Sequence, residues 1–176
     1  MYTLAACADV PGQIVELQEQ NNCSFNKLST SQSVVVPQGF FGTPNDPPIC
    51  TSAVPSTKSL WPPNHKLATV SVQGVTDPNN DPVTIKITAI TQDEPVNGLG
   101  DGDTAPDGIG VGTAQAQLRQ ERSGTGNGRV YAIRFQADDG SGGTCTGKVS
   151  VGVPHDQGKG STAIDDGQNY DSTKTQ

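Results

Sequence analysis

Val83-Thr84-Ile85-Lys86-Ile87-Thr88-Ala89 decides the fold, because its apolar and polar residues alternate. A period of two turns one face of a β-strand towards a core and the other towards solvent. The same alternation returns on both sides of this stretch, with turn formers such as Asn127-Gly128 between the segments. The further predicted strands are Ile49–Val54, Leu67–Val75, Ala114–Leu118, Tyr131–Ala137 and Cys145–Val153. Six or seven strands at this spacing predict an immunoglobulin-like β-sandwich over residues 49–153, with Tyr131 placed like a tyrosine corner.

The composition favours the same fold class. Val, Ile and Thr contribute 42 of the 176 residues, against 7 Leu and 4 Glu. β-Branched side chains are stiff at χ1 and suit a pleated sheet better than a helix. We therefore expect an all-β protein with almost no helix, long enough for one ordinary domain or two small ones.

Charge and hydropathy exclude two classes of partner. Eleven Lys and Arg stand against 18 Asp and Glu, a net charge of −7. Nucleic-acid binding depends on clustered Lys and Arg that displace counterions, so we expect no nucleic-acid partner. No apolar run approaches the roughly 20 residues that span a bilayer, so we expect no membrane insertion.

Four cysteines stand in a chain with few core residues, which is typical of disulfides and of an oxidising, extracellular compartment. Three pairings are possible. We favour Cys7–Cys23 with Cys50–Cys145, because each bond then closes one segment of the chain.

The pattern divides the chain into four regions. Residues 1–36 contain three short strands, too few for an independent core, so this segment must pack against something else. Residues 37–48 form a linker rich in Pro and Gly. The sandwich follows over residues 49–153, and residues 154–176 form a polar tail that is either disordered or draped over the surface.

A long acidic loop is the strongest local signal for a binding site. Between Ile87 and Leu118 there are five acids and no Lys or Arg. A hard cation such as Ca²⁺ takes six to eight oxygen ligands in irregular geometry, and without a counter-charge these acids would repel one another. The predicted ligands are Glu94, Asp101, Asp103 and Asp107. The alternative is a solvated acidic turn.

A second acidic cluster, Asp138-Asp139-Gly140, ends a predicted core strand, and Glu121 lies on the strand before it. We predict Asp138 and Asp139 as further Ca²⁺ ligands. The alternative is an Asp-Gly turn that closes a hairpin.

Few residues suggest catalysis, and we expect no enzyme. Neither His65 nor His155 has a nucleophile-elbow Ser or a third zinc ligand at a suitable spacing. Trp61, the single tryptophan, is the predicted ligand-binding residue because its ring could stack on a sugar. The alternative for Trp61 is a structural one, as a cover for one end of the sandwich.

Two stretches resemble known modules. Tyr2-Thr3-Leu4-Ala5-Ala6-Cys7-Ala8-Asp9, followed by Gln20-Asn21-Asn22-Cys23, resembles the C-terminal part of a CARDB module, the bacterial cell-adhesion-related domain. The resemblance covers the last third of such a module, so we expect an incomplete first segment.

Residues 49–176 resemble the immunoglobulin-like modules, related to hyalin-repeat and PKD-type domains, of large secreted bacterial proteins. The motifs that carry this resemblance are Leu60-Trp61-Pro62-Pro63-Asn64-His65-Lys66, the loop from Asp93 to Asp107, Glu121-Arg122-Ser123-Gly124, Gly126–Tyr131 and Val153-Pro154-His155-Asp156. The resemblance implies an adhesive or structural role, with calcium as a plausible ligand. In that family one cysteine often stands near Val153 and another in the tail, where this chain has Gly152 and Ala163.

These observations predict a non-catalytic, extracellular structural or adhesion module stabilised by Ca²⁺. Its partners would be other surface or matrix proteins, or neighbouring copies joined into a filament through strand edges of residues 1–36. The alternative is a carbohydrate-binding accessory module of a secreted hydrolase, which would hold a polysaccharide through Trp61. A third, catalytic alternative depends on His65 or His155.

Overall fold

The computed structural model describes residues 44–175 and the backbone of four residues in the first segment. There, β1 (Ala6–Cys7) and β2 (Cys23–Ser24) pair antiparallel with Cys7 opposite Cys23. Their side chains, and therefore the predicted Cys7–Cys23 disulfide, lie outside the described residues. The rest of the three strands predicted for residues 1–36 also lies outside them.

A compact unit begins at Pro44, five residues before the predicted start of the sandwich. All its regular elements are strands: β3 (Val54–Pro55), β4 (Leu67–Gln73), β5 (Thr84–Gln92), β6 (Gly108–Ile109), β7 (Gln115–Arg119), β8 (Arg129–Asp138), β9 (Thr144–Val153) and β10 (Tyr170–Asp171). No helix occurs within residues 44–175. Hence no helix in this part of the chain is long and apolar enough to cross a membrane.

The strands form two antiparallel four-stranded sheets, with strand orders β10-β5-β8-β9 and β3-β4-β7-β6. Alternate residues of both sheets form one apolar core, which includes Val70, Leu118, Ile133, Phe135 and Val151. The predicted all-β class and the immunoglobulin-like β-sandwich are therefore confirmed.

The two sheets are joined by a polar contact at Tyr131, which is fully buried on β8. Its hydroxyl donates to the carbonyl of Arg119 on β7, at 2.9 Å. A buried phenol thus bridges the two layers, as in a tyrosine corner.

A β-bulge changes the phase of β5. The pairing of β5 with β8 shifts register between Ile87 and Ala89. Beyond this point Ile90 and Gln92 face the interior, whereas the alternation had placed Ala89 there. The bulge matters for the site because it places the amide of Gln92 inside the sandwich.

The predicted Cys50–Cys145 disulfide is present, with Cα atoms 6.0 Å apart. Cys50 precedes β3 and Cys145 lies on β9, so the bond spans 95 positions of the chain. In the loop-entropy model, a closed loop of this length stabilises the folded state by about 4–5 kcal/mol.

The polar tail is part of the fold. Tyr170 and Asp171 pair with Gln92 and Thr91 and add an edge strand to the first sheet. The next residue, Ser172, is fully buried, and its amide donates to the carbonyl of Ile90 at 3.1 Å. Of the two expectations for the tail, the structure shows draping over the surface.

Candidate functional site

A buried ionic cluster lies beneath the acidic loop, and its centre is Arg129, the first residue of β8. The guanidinium has no exposed surface. Its Nη1 donates to Asp107 Oδ2 at 2.7 Å and its Nε to Glu94 Oε2 at 3.1 Å. Its Nη2 reaches Asp101 Oδ2 at 3.4 Å and the carbonyl of Pro95 at 3.3 Å. One side chain thus binds three acids of the loop.

Asp107 is the most completely enclosed of these acids. Besides Arg129, the Nε2 amide of Gln92 donates to its Oδ2 at 2.7 Å. Its other oxygen lies 3.6 Å from Nε of Arg119. Arg119 is itself fixed by the carbonyl of Pro106, which accepts from Nε and Nη2 at 3.1 and 2.7 Å. The end of the loop is therefore attached to both sheets.

Glu121 is a fourth carboxylate of this cluster. It is fully buried, and its Oε2 accepts hydrogen bonds from the hydroxyl of Thr104 and from Nδ1 of His65, the latter at 2.9 Å. Its Oε1 lies 3.8 Å from Nη1 of Arg129. The sequence pattern places Glu121 beside the cluster of Asp138 and Asp139. This grouping is wrong, because its contacts are with the loop and with Arg129.

His65 supports the loop from outside. Its backbone has φ of +62°, and its imidazole lies against Gly102, where a Cβ atom would come within 2.5 Å of the ring. Gly102 has φ of +98°, a conformation that favours glycine. The ring and the glycine together allow the loop to close over Glu121.

The balance of charge in the cluster is negative. Four carboxylates, those of Glu94, Asp101, Asp107 and Glu121, surround the two guanidinium groups of Arg119 and Arg129. Burial raises the pKa of Asp107 to about 6, although the hydrogen bond from Gln92 and the charge of Arg129 act in the opposite direction. A proton on Asp107 relieves part of the excess charge, so the raised pKa agrees with the count of charges.

The cluster also contains buried oxygens that accept no hydrogen bond. They are Oδ1 of Asp107, Oε1 of Glu121 and Oε1 of Gln92. Unpaired acceptors in a buried site cost free energy. We expect this part of the cluster to be the most sensitive to a change of charge.

The structure separates the six predicted metal ligands. Glu94, Asp101 and Asp107 come together on Arg129. Asp103 is exposed, and its amide donates to Oδ1 of Asp101 at 3.1 Å. Asp138 and Asp139 lie at a different turn.

That second turn is organised by Asp139, of which only 4% is exposed. Its Oδ1 accepts from the amides of Ser141 and Gly143, and Asn45 donates to its Oδ2 at 2.8 Å. The hydrogen bond from Asn45 is the main reason that the pKa of Asp139 is lowered. Asp138 is exposed and accepts from the amide of Gly140. In this arrangement the two carboxylates hold a turn, which is the alternative weighed for this cluster.

The predicted calcium binding is not tested by the structure. Within residues 44–175, no group of three or more His, Cys, Asp and Glu side chains is placed to hold a metal ion. The oxygens of Glu94, Asp101 and Asp107 accept from a guanidinium, so the cluster as arranged does not fit Ca²⁺. The positive charge that all three carboxylates contact is that of Arg129.

The acidic stretch between Ile87 and Leu118 does not itself indicate Arg129, which lies beyond it in the sequence. A usable signal was present. Arg129 stands two positions before Tyr131, on the same side of the alternation as Ile133 and Phe135. Extending the period of two by one step places Arg129 inside the sandwich, where an Arg needs carboxylate partners.

Trp61, the predicted ligand-binding residue, is 38% exposed. The neighbouring Leu60 is 4% exposed, and its amide donates to the carbonyl of Gly152 at 2.8 Å, at the outer edge of β9. The indole is thus partly available to a ligand beside a segment that covers a strand edge.

Comparison of the chain with family models, with curated proteins and with solved structures gave no match. The resemblances to the CARDB module and to the hyalin-repeat and PKD-related modules therefore stay predictions.

Proposed function

We propose that the chain is a non-catalytic extracellular module with a structural role, which spaces or joins parts of a bacterial surface protein. Its partners in this proposal are surface or matrix proteins or neighbouring copies. The disulfide fits an oxidising compartment.

The position of the Cys50–Cys145 bond carries the proposal. Cys50 lies close to Pro44, where the compact unit begins, and Cys145 lies on the last long strand. Tension that enters at Pro44 and leaves through the tail therefore passes across the covalent bond. The residues between the two cysteines, which include β4, β5, β7, β8 and the whole ionic cluster, carry none of this tension. Such a path suits a module that transmits load.

The ionic cluster supports the same role. Its guanidinium and carboxylates form hydrogen bonds with one another and with loop backbone, and this arrangement holds an otherwise long loop in one conformation. Rigid loops resist proteolysis, which is a requirement outside the cell. In this proposal the loop is a rigid structural element, and Arg129 neutralises part of its negative charge.

Stretching the full chain by its two ends in an optical trap tests the proposal. At about 3.3–3.6 Å per extended residue, the bond hides about 330 Å of chain. We expect the wild type to reach a final contour length about 330 Å shorter than Cys50→Ser/Cys145→Ser. The matched control is Thr51→Ser/Thr146→Ser, which changes exposed neighbours and keeps the bond. Equal lengths for the wild type and the cysteine variant would contradict the load path.

Catalysis and filament formation have their own tests. Turnover of a hydrolase substrate that disappears with His65→Ala or His155→Ala would contradict the non-catalytic role. Assembly through strand edges of residues 1–36 predicts that the size of the assemblies increases with protein concentration. A monodisperse monomer at high concentration would contradict filament formation.

A carbohydrate-binding module is the second candidate, and the partial exposure of Trp61 favours it. It predicts that Trp61→Ala abolishes retention on a polysaccharide column. Full retention of the variant would remove Trp61 from the candidate site.

A further inference from the structure

A groove of about 550 Å³ lies on the surface beside the ionic cluster. One wall is the start of the acidic loop, Pro95-Val96-Asn97, and the other is the tail, from Asn169 to Lys174. The volume is within the range of sites for small ligands. Trp61 does not line this groove.

Both walls are fixed before any ligand arrives. On the loop side, the carbonyl of Pro95 accepts from Arg129, and the carbonyl of Glu94 accepts from Gln92. On the tail side, the carbonyl of Ser172 accepts from the amides of Asp107 and Gly108, at 2.9 and 2.8 Å. A site that is already ordered loses little conformational entropy on binding.

The lining combines an aromatic ring with groups that bind hydroxyls. Tyr170 is 39% exposed. The exposed amide of Asn169 offers both a donor and an acceptor, whereas Oδ1 of Asn97 is buried behind the groove wall. Asp171 and Lys174, whose charged groups are 3.8 Å apart, contribute opposite charges that cancel. Because the groove carries no excess charge, it favours an uncharged ligand.

We infer that this groove binds a neutral saccharide, with the ring of Tyr170 stacked on the apolar face of one sugar and the amide of Asn169 bound to its hydroxyls. A sugar ring has an apolar face and a polar rim, and an amphipathic aromatic side chain complements it. The inference deepens the carbohydrate-binding candidate, on which it rests, and it moves the binding surface from Trp61 to Tyr170. It does not depend on the load-bearing role, which the contour-length measurement tests separately.

Calorimetric titration of the full chain with cellohexaose, xylohexaose, mannohexaose and chitohexaose tests the inference. We expect at least one of them to bind with Kd of about 0.1–5 mM, and Tyr170→Ala to weaken that binding by about tenfold or more. Tyr170→Phe, which keeps the ring, should stay within about threefold of the wild type. Ile164→Ala, at an exposed apolar position of the tail that does not line the groove, is the matched control and should bind like the wild type.

Three outcomes would overturn the inference. One is that none of the four saccharides binds at about 10 mM, a concentration above the expected Kd. Another is binding that Trp61→Ala abolishes and Tyr170→Ala does not, which would keep the carbohydrate-binding candidate and reject this groove. The third is Tyr170-dependent binding of decaproline in place of the saccharides. Circular dichroism checks the fold of Tyr170→Ala, and Asn169→Ala, at an exposed lining position, is a second variant that should weaken binding.

Discussion

Replacing Arg129 with Met is the sharpest test of the ionic cluster. The variant keeps a long unbranched side chain in a site with no exposed surface but removes the hydrogen bonds that the guanidinium donates to Glu94, Asp101 and Asp107. Breaking a buried ion pair from one side leaves uncompensated charge and costs about 3–5 kcal/mol. Unfolding entropy of about 2.1 cal/mol/K per residue, over a unit of about 130 residues, converts this to a fall in Tm of about 10–18 °C.

The fluorescence of Trp61 is a suitable assay, because the chain has one tryptophan and it lies in the compact unit. Arg134→Met is the matched control, since Arg134 is exposed on the same strand, and it should change stability by less than about 0.5 kcal/mol.

The loss should also depend on charge. Protonation at pH 5 or an added Asp107→Asn substitution lowers the uncompensated charge, so either should recover part of the stability of Arg129→Met. The role given to the cluster would be refuted if the free energy of unfolding of Arg129→Met stays within about 1 kcal/mol of the wild type at pH 7. A loss no larger than that of Arg134→Met would refute it as well.

Three other predictions follow from the same structure. Because the pKa of Asp107 is about 6 in the folded state and 3.8 is its ordinary value, the folded state binds the extra proton between these pH values. The free energy of unfolding should therefore fall as pH rises through 6. Lowering the pH from 7 to 5 should raise it by about 1 kcal/mol in the wild type, and Asp107→Asn should lack this gain. Denaturant titration at each pH measures the difference. A Cβ on Gly152 would lie 3.1 Å from Cβ of Ala163, slightly inside the usual disulfide range of about 3.5–4.5 Å, so Gly152→Cys/Ala163→Cys should form a bond after a small shift. The new disulfide should raise the free energy of unfolding by up to about 3 kcal/mol relative to each single variant. Detection of two additional free thiols by mass spectrometry would contradict the prediction that the bond forms. Millimolar Ca²⁺ should raise Tm relative to EDTA by less than about 1 °C beyond a Mg²⁺ control; a Ca²⁺-specific rise of about 10 °C, the effect of ligand at a hundred times its Kd, would instead establish the calcium site.

The long strands could be predicted because their signal is local. Residues 84–88 and 131–137 alternate, and burial of one face requires only that each strand meet some core. The two-residue strands β6 and β10 could not be predicted, since pairing of Gly108 or Tyr170 depends on a neighbour supplied by the fold. The bulge after Ile87 leaves only a weak local signal, since Ile90 directly follows Ala89 and so falls out of phase with the alternation.

The acidic residues of the site could be identified from the sequence, but their contacts could not. The loop was found from the density of its carboxylates, and the expectation that they need a counter-charge was sound. The choice between a bound cation and a distant side chain depends on which residues the sheets bring together. Arg129 is 22 positions from Asp107 and 35 from Glu94, so their contacts are a property of the packed sandwich.

Hydrogen exchange of the loop amides tests the central claim most directly. The amides of Gly98 and Asp103 donate to the carboxylate of Asp101, which also contacts Arg129. If Arg129 orders this loop, these amides are protected in the wild type and lose most of that protection in Arg129→Met, while the amide of Ile133 in the core remains protected. Equal protection of the loop in both proteins, with the core intact, would contradict the claim that the buried guanidinium holds the loop.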